Sequence, residues 1–183
     1  MTTFCRFPSL FSETECESII EEFSKKSLEK AMTHNDGSKI SVRKNKIFWI
    51  ERNADTDWIF MRLTNMAQKV NAETFGFNID YNCVTRVQFT KYSEGEFYGW
   101  HVDVGNLPDT VCRKLSISVQ LSKPTAYEGG ELQVGIQDDD VSLCPKDQGA
   151  VMIFPSPMRH RVTEITKGTR YALVTWVTGY PFK

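Results

Sequence analysis

The chain has 183 residues, with 22 lysines and arginines against 23 aspartates and glutamates and a formal net charge of -1. This length predicts one domain, residues 1–183, and the balanced charge without a basic block argues against a nucleic-acid or anionic-membrane partner. No apolar run approaches the roughly 20 residues of a membrane helix and no secretory pattern begins the chain, so we expect a cytoplasmic protein that does not enter a membrane.

The first part of the chain predicts helices, and we expect residues 1–75 to form a helical support region. Ser12 and Glu15 have the spacing of a capping box, which predicts a helix from there to about Lys26. A second helix is predicted after Asp55 and Thr56, because the apolar residues that follow share one helical face; they are Ile59, Leu63, Met66 and Val70. Residues 40–50 between the helices are predicted as strand and loop.

After Phe75 the pattern changes to short segments rich in β-branched and aromatic residues, separated by turns. Residues 115–121 alternate apolar and polar side chains, which predicts a half-buried strand. Further strands are predicted over 85–90, 131–134, 151–154, 161–165 and 171–177. Strands without intervening helices favour a mainly β fold of α+β class, with a double-stranded β-helix (jelly roll) core over residues 80–180 and a helical buttress.

The cysteines and one acidic run are further side chains that could bind a metal or form disulfides. The five cysteines, at positions 5, 16, 83, 112 and 144, are widely spread and include no C-x-x-C pair, so we interpret them as reduced thiols and mostly as small buried hydrophobes. Residues 138–140 are three aspartates without the regular ligand spacing of a calcium loop, which favours a solvated loop tip.

Two of the three histidines occur where they could bind one metal ion. His101 and Asp103 lie two residues apart at the end of an extended segment, so both would project from one face if the strand continues. His160 follows the apolar segment 151–154. Two imidazoles and a carboxylate form the facial triad of non-haem iron(II) oxygenases, but zinc hydrolases use the same ligands, so the triad alone leaves the metal open.

Arg170 lies ten residues after His160, beyond a turn predicted at residues 167–169. Because the two sheets of a jelly roll stand about 10 Å apart, an arginine on the returning strand could face the metal across the interior. A dicarboxylate could then chelate the metal at one end and accept a bidentate fork from Arg170 at the other.

The segment from Tyr92 to Trp176 resembles the 2-oxoglutarate (2OG) oxygenases of the prolyl 4-hydroxylase type, and among them the small bacterial and phage PKHD-type hydroxylases. The resemblance covers about half the chain and rests on KYSEGEFYGWHVD, RKLSISVQLS, YEGGEL and FPSPMRHRVTEITKGTRYALVTW, with weaker support from residues 43–46. Eukaryotic-type prolyl 4-hydroxylases usually have lysine at the position of Arg170, so the arginine favours the PKHD branch.

The resemblance implies a role for each site residue. His101, Asp103 and His160 would bind Fe(II), while Arg170 and Tyr92 would bind 2OG. Arg113 and Trp176 match positions near the substrate. No side chain beyond the metal ligands is assigned as catalytic.

The implied reaction is hydroxylation of an unactivated carbon with O2 and 2OG, releasing succinate and CO2, and ascorbate is a candidate reductant. A prolyl residue in a peptide or protein is the first expected substrate, and a free amino acid or another small molecule is the alternative. A jelly-roll module that holds a metal without turnover is the alternative from a different class. A phage-encoded protein of this kind would act in the host cytoplasm.

Local sequence also predicts how loops shape the site. Gly129 and Gly130 could take positive φ in a sharp turn beside the cavity, and Pro155 and Pro157 could end a strand and direct His160. Residues 104–111 and 40–45 are candidates for mobile segments over the opening.

Overall fold

The computed structural model describes residues 4–31, 42–135 and 141–182. In these residues there are two α-helices, α1 (Glu13–Ser24) and α2 (Asp57–Val70), a π-helical turn (Asn71–Phe75) and a 3-10 turn (Pro124–Ala126). The strands are β1 (Cys5–Phe7), β2 (Glu29–Lys30), β3 (Arg43–Lys44), β4 (Lys46–Ile50), β5 (Val87–Ser93), β6 (Phe97–His101), β7 (Arg113–Gln120), β8 (Tyr127–Gly129), β9 (Leu132–Gly135), β10 (Val141–Leu143), β11 (Val151–Pro155), β12 (His160–Val162) and β13 (Ile165–Thr178). None of the helices within these ranges is long and apolar enough to span a membrane. The aspartates at 138–140 lie outside the described residues.

The strands form two antiparallel sheets, which we call the major and the minor sheet. The major sheet has the order β1-β11-β7-β13-β5-β4-β2, with β8 paired to one end of β13. The minor sheet has the order β10-β9-β12-β6-β3. The predicted mainly β architecture with a helical buttress is therefore confirmed.

Both predicted helices are present. The hydroxyl of Ser12 accepts a hydrogen bond from the Glu15 N–H, and the Glu15 carboxylate accepts one from the Ser12 N–H, so the predicted capping box is complete. Helix α1 ends at Ser24, slightly before the predicted Lys26. Helix α2 continues into the π-helical turn, which ends at Gly76 in the left-handed conformation (φ +65°).

Several strand predictions need correction. The turn predicted at residues 167–169 is wrong, because β13 runs through it without interruption from Ile165 to Thr178. Gly168, with φ +79°, is paired with Tyr127 of β8 and follows a register shift between Ile165 and Lys167, so the glycine belongs to an irregular strand rather than to a turn. The segment predicted over 161–165 is broken after Val162, and the strand predicted at 85–90 begins two residues later. The first 75 residues also contribute β1 to β4, so they are not solely helical.

Two interiors lie on the two faces of the major sheet. The helices cover one face with an apolar core, and a second, smaller apolar cluster lies between the two sheets. In β7, Leu115, Ile117 and Val119 belong to the helix-side core, yet Ser116 and Ser118 on the opposite face are buried too. The half-buried strand predicted here is therefore buried on both faces.

Candidate active site

A cavity of about 710 Å³ lies between the sheets and is lined by residues of both. The minor sheet contributes His101 and His160, and the major sheet contributes Ser116, Arg170 and Trp176. Part of the loop 104–111 lines it as well. A volume of this size suits a small co-substrate together with part of a larger substrate.

The predicted triad converges in this cavity. His101 is the last residue of β6 and His160 is the first of β12, and the two are paired across the strands. Asp103 lies just past the end of β6, so the strand does not continue to it, but its N–H donates to the Ser156 carbonyl at 3.0 Å and holds it beside the histidines. One potential ligand atom from each side chain lies within 4.8 Å of the others.

Hydrogen bonds determine which imidazole nitrogens face the carboxylate. His101 Nδ1 lies 2.8 Å from the Gly99 carbonyl and His160 Nδ1 lies 3.0 Å from the Met158 carbonyl. A carbonyl only accepts, so each Nδ1 carries a proton and each Nε2 can present a lone pair. His101 Nε2 is 3.7 Å and His160 Nε2 is 3.3 Å from the nearer Asp103 oxygen. This donor set fits a divalent transition metal, whose ligands at about 2.1 Å would lie about 3 Å apart.

Neighbouring rings restrict the imidazoles. Tyr98 stacks on His101 with ring centroids 3.5 Å apart and planes 11° apart. Phe154 meets His160 edge-on at 4.7 Å. The two histidines therefore have little freedom to leave the orientation in which their Nε2 atoms converge.

Two buried serines support the carboxylate. Ser116 donates from its hydroxyl to Asp103 Oδ2 at 2.7 Å, and Ser156 lies 3.0 Å from the Ser116 hydroxyl. The Ser156 N–H also donates to the Lys114 carbonyl, which ties the loop after β11 to β7. Asp103 is thus oriented by both a backbone and a side-chain contact.

The electrostatics of the triad are strongly coupled. Burial opposes ionisation of Asp103, but the two imidazoles and Ser116 outweigh it and hold the pKa of Asp103 well below its usual range. Burial and the neighbouring His160 lower the pKa of His101 to about 3. Burial also disfavours charge on His160, but the Asp103 carboxylate outweighs that and raises the pKa of His160.

Arg170 lies on β13 and is only 3% exposed. Its Nε donates to Gln120 Oε1 at 3.0 Å, and its guanidinium lies 5.7 Å from the Tyr92 ring, which belongs to the residue paired with it on β5. In the described part of the chain no carboxylate lies within ion-pair distance of Arg170. A buried guanidinium that has only neutral neighbours favours the binding of an anion.

The glycine turn adjoins this arginine. Gly129 and Gly130 have φ of +74° and +61°, as predicted. A Cβ added to Gly130 would clash with the Ile165 side chain and lie 3.2 Å from Arg170 Cδ. Only glycine therefore allows the turn to pass so close to the arginine.

Arg113 and Trp176 contact each other at the side of the cavity. The Arg113 guanidinium lies 3.8 Å from the centre of the Trp176 ring, and Arg113 donates to the Asp103 carbonyl at 3.3 Å. Both residues line the cavity that contains the triad.

Sequence reasoning missed the residues that support the site. Ser116 and Gln120, which contact Asp103 and Arg170, both lie on the polar face of β7. Their alternation with apolar residues predicts a half-buried strand but gives no reason to place them in a site. Tyr98, Arg86 and Trp49 carried no signal of their own in a single sequence.

Comparison with known proteins identifies a family model and several proteins that are similar to this chain. A family model described as the 2OG-Fe(II) oxygenase superfamily matches residues 87–178. A PKHD-type hydroxylase of Alteromonas mediterranea is 40% identical over 96 residues, which cover 49% of this chain and 41% of the relative. A PKHD-type hydroxylase of Prochlorococcus marinus is 41% identical over 95 residues, which cover 51% and 42%. The match thus spans about two-fifths of the length of these relatives.

Solved structures share the fold at low sequence identity. A Pseudomonas putida prolyl-4-hydroxylase has a TM-score of 0.76 at 16% identity, covering 97% of this chain and 93% of that one. A Trichoplax adhaerens prolyl hydroxylase, solved with a hypoxia inducible factor peptide fragment, has a TM-score of 0.78 at 17% identity, covering 97% and 84%. These likenesses confirm the predicted jelly-roll fold.

Proposed function

The chain belongs to the 2OG-Fe(II) oxygenase superfamily, and from this premise we propose that it is a hydroxylase that uses Fe(II), 2OG and O2. Fe(II) together with 2OG and O2 supplies the oxidising power to hydroxylate an unactivated carbon, with release of succinate and CO2. We assign metal binding to His101, Asp103 and His160, and binding of the distal 2OG carboxylate to Arg170 with Tyr92 beside it.

One observation carries this proposal: a facial donor set lines the same cavity as a buried arginine that has no carboxylate partner among the described residues. The zinc hydrolases that share the ligand set do not require a buried cation in the same cavity, whereas a dicarboxylate co-substrate needs one to pair with its distal carboxylate. Arg170 has its Nε occupied by Gln120, which leaves its terminal nitrogens to grip a carboxylate as a fork.

The chain's own residues would then perform three tasks. Ser116 and Ser156 keep Asp103 turned toward the histidines, and Tyr98 keeps His101 from rotating. Gln120 holds the guanidinium of Arg170 in place.

We propose a prolyl residue in a peptide or protein as the substrate. Support comes from the prolyl hydroxylase folds, one of which was solved with a peptide fragment. Arg113 and Trp176 line the same cavity as the triad, and we assign substrate contact to them. A free amino acid or another small molecule is the alternative substrate.

Succinate formation from 2OG separates an enzyme from a metal-holding binding module. Wild-type protein with Fe(II) and ascorbate should convert 2OG to succinate slowly without added substrate, and His101→Ala should not. Equal succinate formation in both proteins would contradict the proposed metal site, and none in either, with or without peptides, would favour the binding module.

A mass-shift screen then addresses the substrate. Proline-containing peptides and free amino acids are incubated with the loaded enzyme and examined for the gain of one oxygen atom. Oxygen gain in a peptide at proline would support the proposal, while gain only in a free amino acid would select the alternative.

A further inference from the structure

Four aromatic and basic side chains form a row across the major sheet at one side of the cavity. Arg113 begins β7, Trp176 lies on β13, Arg86 immediately precedes β5 and Trp49 lies on β4, which are four neighbouring strands. The Arg113 guanidinium lies 3.8 Å from the Trp176 ring centre, the two indole rings are 6.1 Å apart, and the Arg86 guanidinium lies 3.9 Å from the Trp49 ring centre. We call this the arginine–tryptophan row.

The charge around the row is positive. Apart from the groups assigned to the metal and 2OG, the charged side chains lining the cavity in the described residues are four cations and two acids, a balance of about +2; they are Lys30, Arg43, Arg86, Arg113, Glu29 and Asp109. The whole chain has a formal charge of -1. Cationic side chains therefore outnumber acidic ones on the cavity wall, although the whole chain is slightly negative, and this balance attracts anions.

The donors of the row have few acceptors. Arg113 donates to two backbone carbonyls, those of Asp109 at 3.2 Å and Asp103 at 3.3 Å. The Asp109 carboxylate lies 3.9 Å from Arg86, too far for a hydrogen bond. The Trp176 indole N–H is buried and has no hydrogen-bond partner in the described part of the chain. This N–H has no contact with solvent, so it does not itself mark a ligand position. The guanidinium N–H groups that Arg86 and Arg113 leave without a hydrogen bond to the described residues favour a ligand that supplies acceptor oxygens.

Burial adds to the same preference. Arg113 is partly buried, between the Trp176 ring and the Asp103 carbonyl. A cation withdrawn from water gains more from a bound anion than an exposed one does.

We infer that the arginine–tryptophan row is a subsite for a carboxylate of the substrate, beside the carbon that is hydroxylated. The inference rests on the proposed function and specifies its substrate class: an acidic residue next to the target residue in a peptide, or the carboxylate of a small molecule.

Binding of matched probes to the protein loaded with Fe(II) and 2OG under nitrogen tests this subsite. The probes are blocked alanine peptides with one proline and a flanking Glu, the same peptides with Gln, and the pair N-acetyl-L-proline and its amide. We expect the carboxylate-bearing member of at least one pair to bind about 10-fold more tightly in calorimetry at low salt, the effect of one charge-assisted hydrogen bond. If the Glu peptide binds more tightly than the Gln peptide, the carboxylate belongs to a peptide residue beside the target. If N-acetyl-L-proline binds more tightly than its amide, the carboxylate belongs to a small-molecule substrate.

Two variants in the row and one control localise the effect. Arg86→Gln and Arg113→Gln should each reduce the preference to less than about 3-fold, while Arg6→Gln, an exposed arginine on β1 at the far edge of the sheet, should preserve it. The subsite is overturned if neither pair discriminates, if no probe binds, or if the preference survives both row variants. Wild-type succinate formation is measured separately, so its absence would count against the proposed function and not against the charge preference.

Discussion

The two faces of the major sheet bury side chains for different purposes. On the helix side, Leu115 and Ile117 pack in an apolar core with the residues of α1 and α2. On the cavity side of the same strand, Ser116 and Gln120 are equally buried but contact Asp103 and Arg170. Alternation of apolar and polar residues in a strand therefore does not imply a solvent-facing side, because the polar face can line a binding cavity.

Because the two faces differ, substitutions on one face of a strand should affect the stability of the fold, and substitutions on the other should affect ligand binding. Removal of apolar volume on the helix side should reduce the free energy of unfolding, because close packing cannot relax fully into a cavity. Removal of a polar contact on the cavity side should change ligand binding more than folding, because water can enter the vacated position. Substitutions at neighbouring positions of β7 and β13 test this separation.

Leu115→Ala should give the largest loss of stability. Leu115 is fully buried in the helix-side core, so we expect the free energy of unfolding to fall by about 2–5 kcal/mol. Urea denaturation measures this, and binding of Fe(II) and 2OG to the folded fraction should be nearly unchanged. A loss of 2OG affinity comparable to that of a cavity-face variant would break the distinction between the faces.

Arg170→Ala should give the largest loss of co-substrate binding. It removes the buried guanidinium proposed to hold the distal carboxylate of 2OG, and truncation of one partner of such a pair costs about 2–5 kcal/mol. We therefore expect the 2OG requirement for succinate formation to rise at least about 30-fold while Fe(II) affinity stays within a few-fold of wild type. Arg170→Lys keeps the charge without the fork and should be intermediate. Equal loss of iron and 2OG binding would mean that Arg170 is structural.

Ser116→Ala should affect the metal rather than the fold. The Ser116 hydroxyl donates to Asp103 at 2.7 Å, and loss of such a support contact typically lowers metal affinity 10- to 100-fold. Ser118→Ala is a matched control, since Ser118 lies two residues along the same cavity-facing side of β7. Anaerobic Fe(II) titration of both variants, with urea denaturation alongside, compares the two effects. Equal metal affinity in the two variants would contradict the role of Ser116.

Much of the arrangement could be predicted because its signals are local or belong to a recognised pattern. The capping box at Ser12 and the apolar face of α2 follow from helical spacing, and both are present. The resemblance to 2OG oxygenases of the PKHD type is confirmed by the family match and the PKHD-type relatives. The resemblance, more than the H-x-D spacing, assigns His160 to the same metal site as His101 and Asp103, and the structure brings the three side chains together.

The remaining features depend on pairing between distant segments. Nothing local distinguishes the irregular strand at Gly168 from a turn, because pairing with β8 and β5 extends it. Arg86 and Trp49 are 37 positions apart and meet only because β4 pairs with β5. The roles of Ser116 and Gln120 were hidden for the same reason: their partners lie on other strands or loops.

The smallest effect concerns pH, and it follows from the raised pKa of His160. In the metal-free protein, protonated His160 pairs with Asp103, which stabilises the fold below the unfolded pKa near 6.5; that contribution is lost as pH rises through the higher folded pKa. A metal needs the neutral ring, so metal affinity should increase about tenfold per pH unit until that folded pKa is passed, with one proton released per ion. His101, with a pKa of about 3, is already neutral and should release none.

Anaerobic Fe(II) titrations between about pH 6 and 8 measure the slope of metal affinity against pH. A slope of two protons would show that both histidines titrate together, and a slope of zero would show that the Asp103 pair does not raise the pKa of His160.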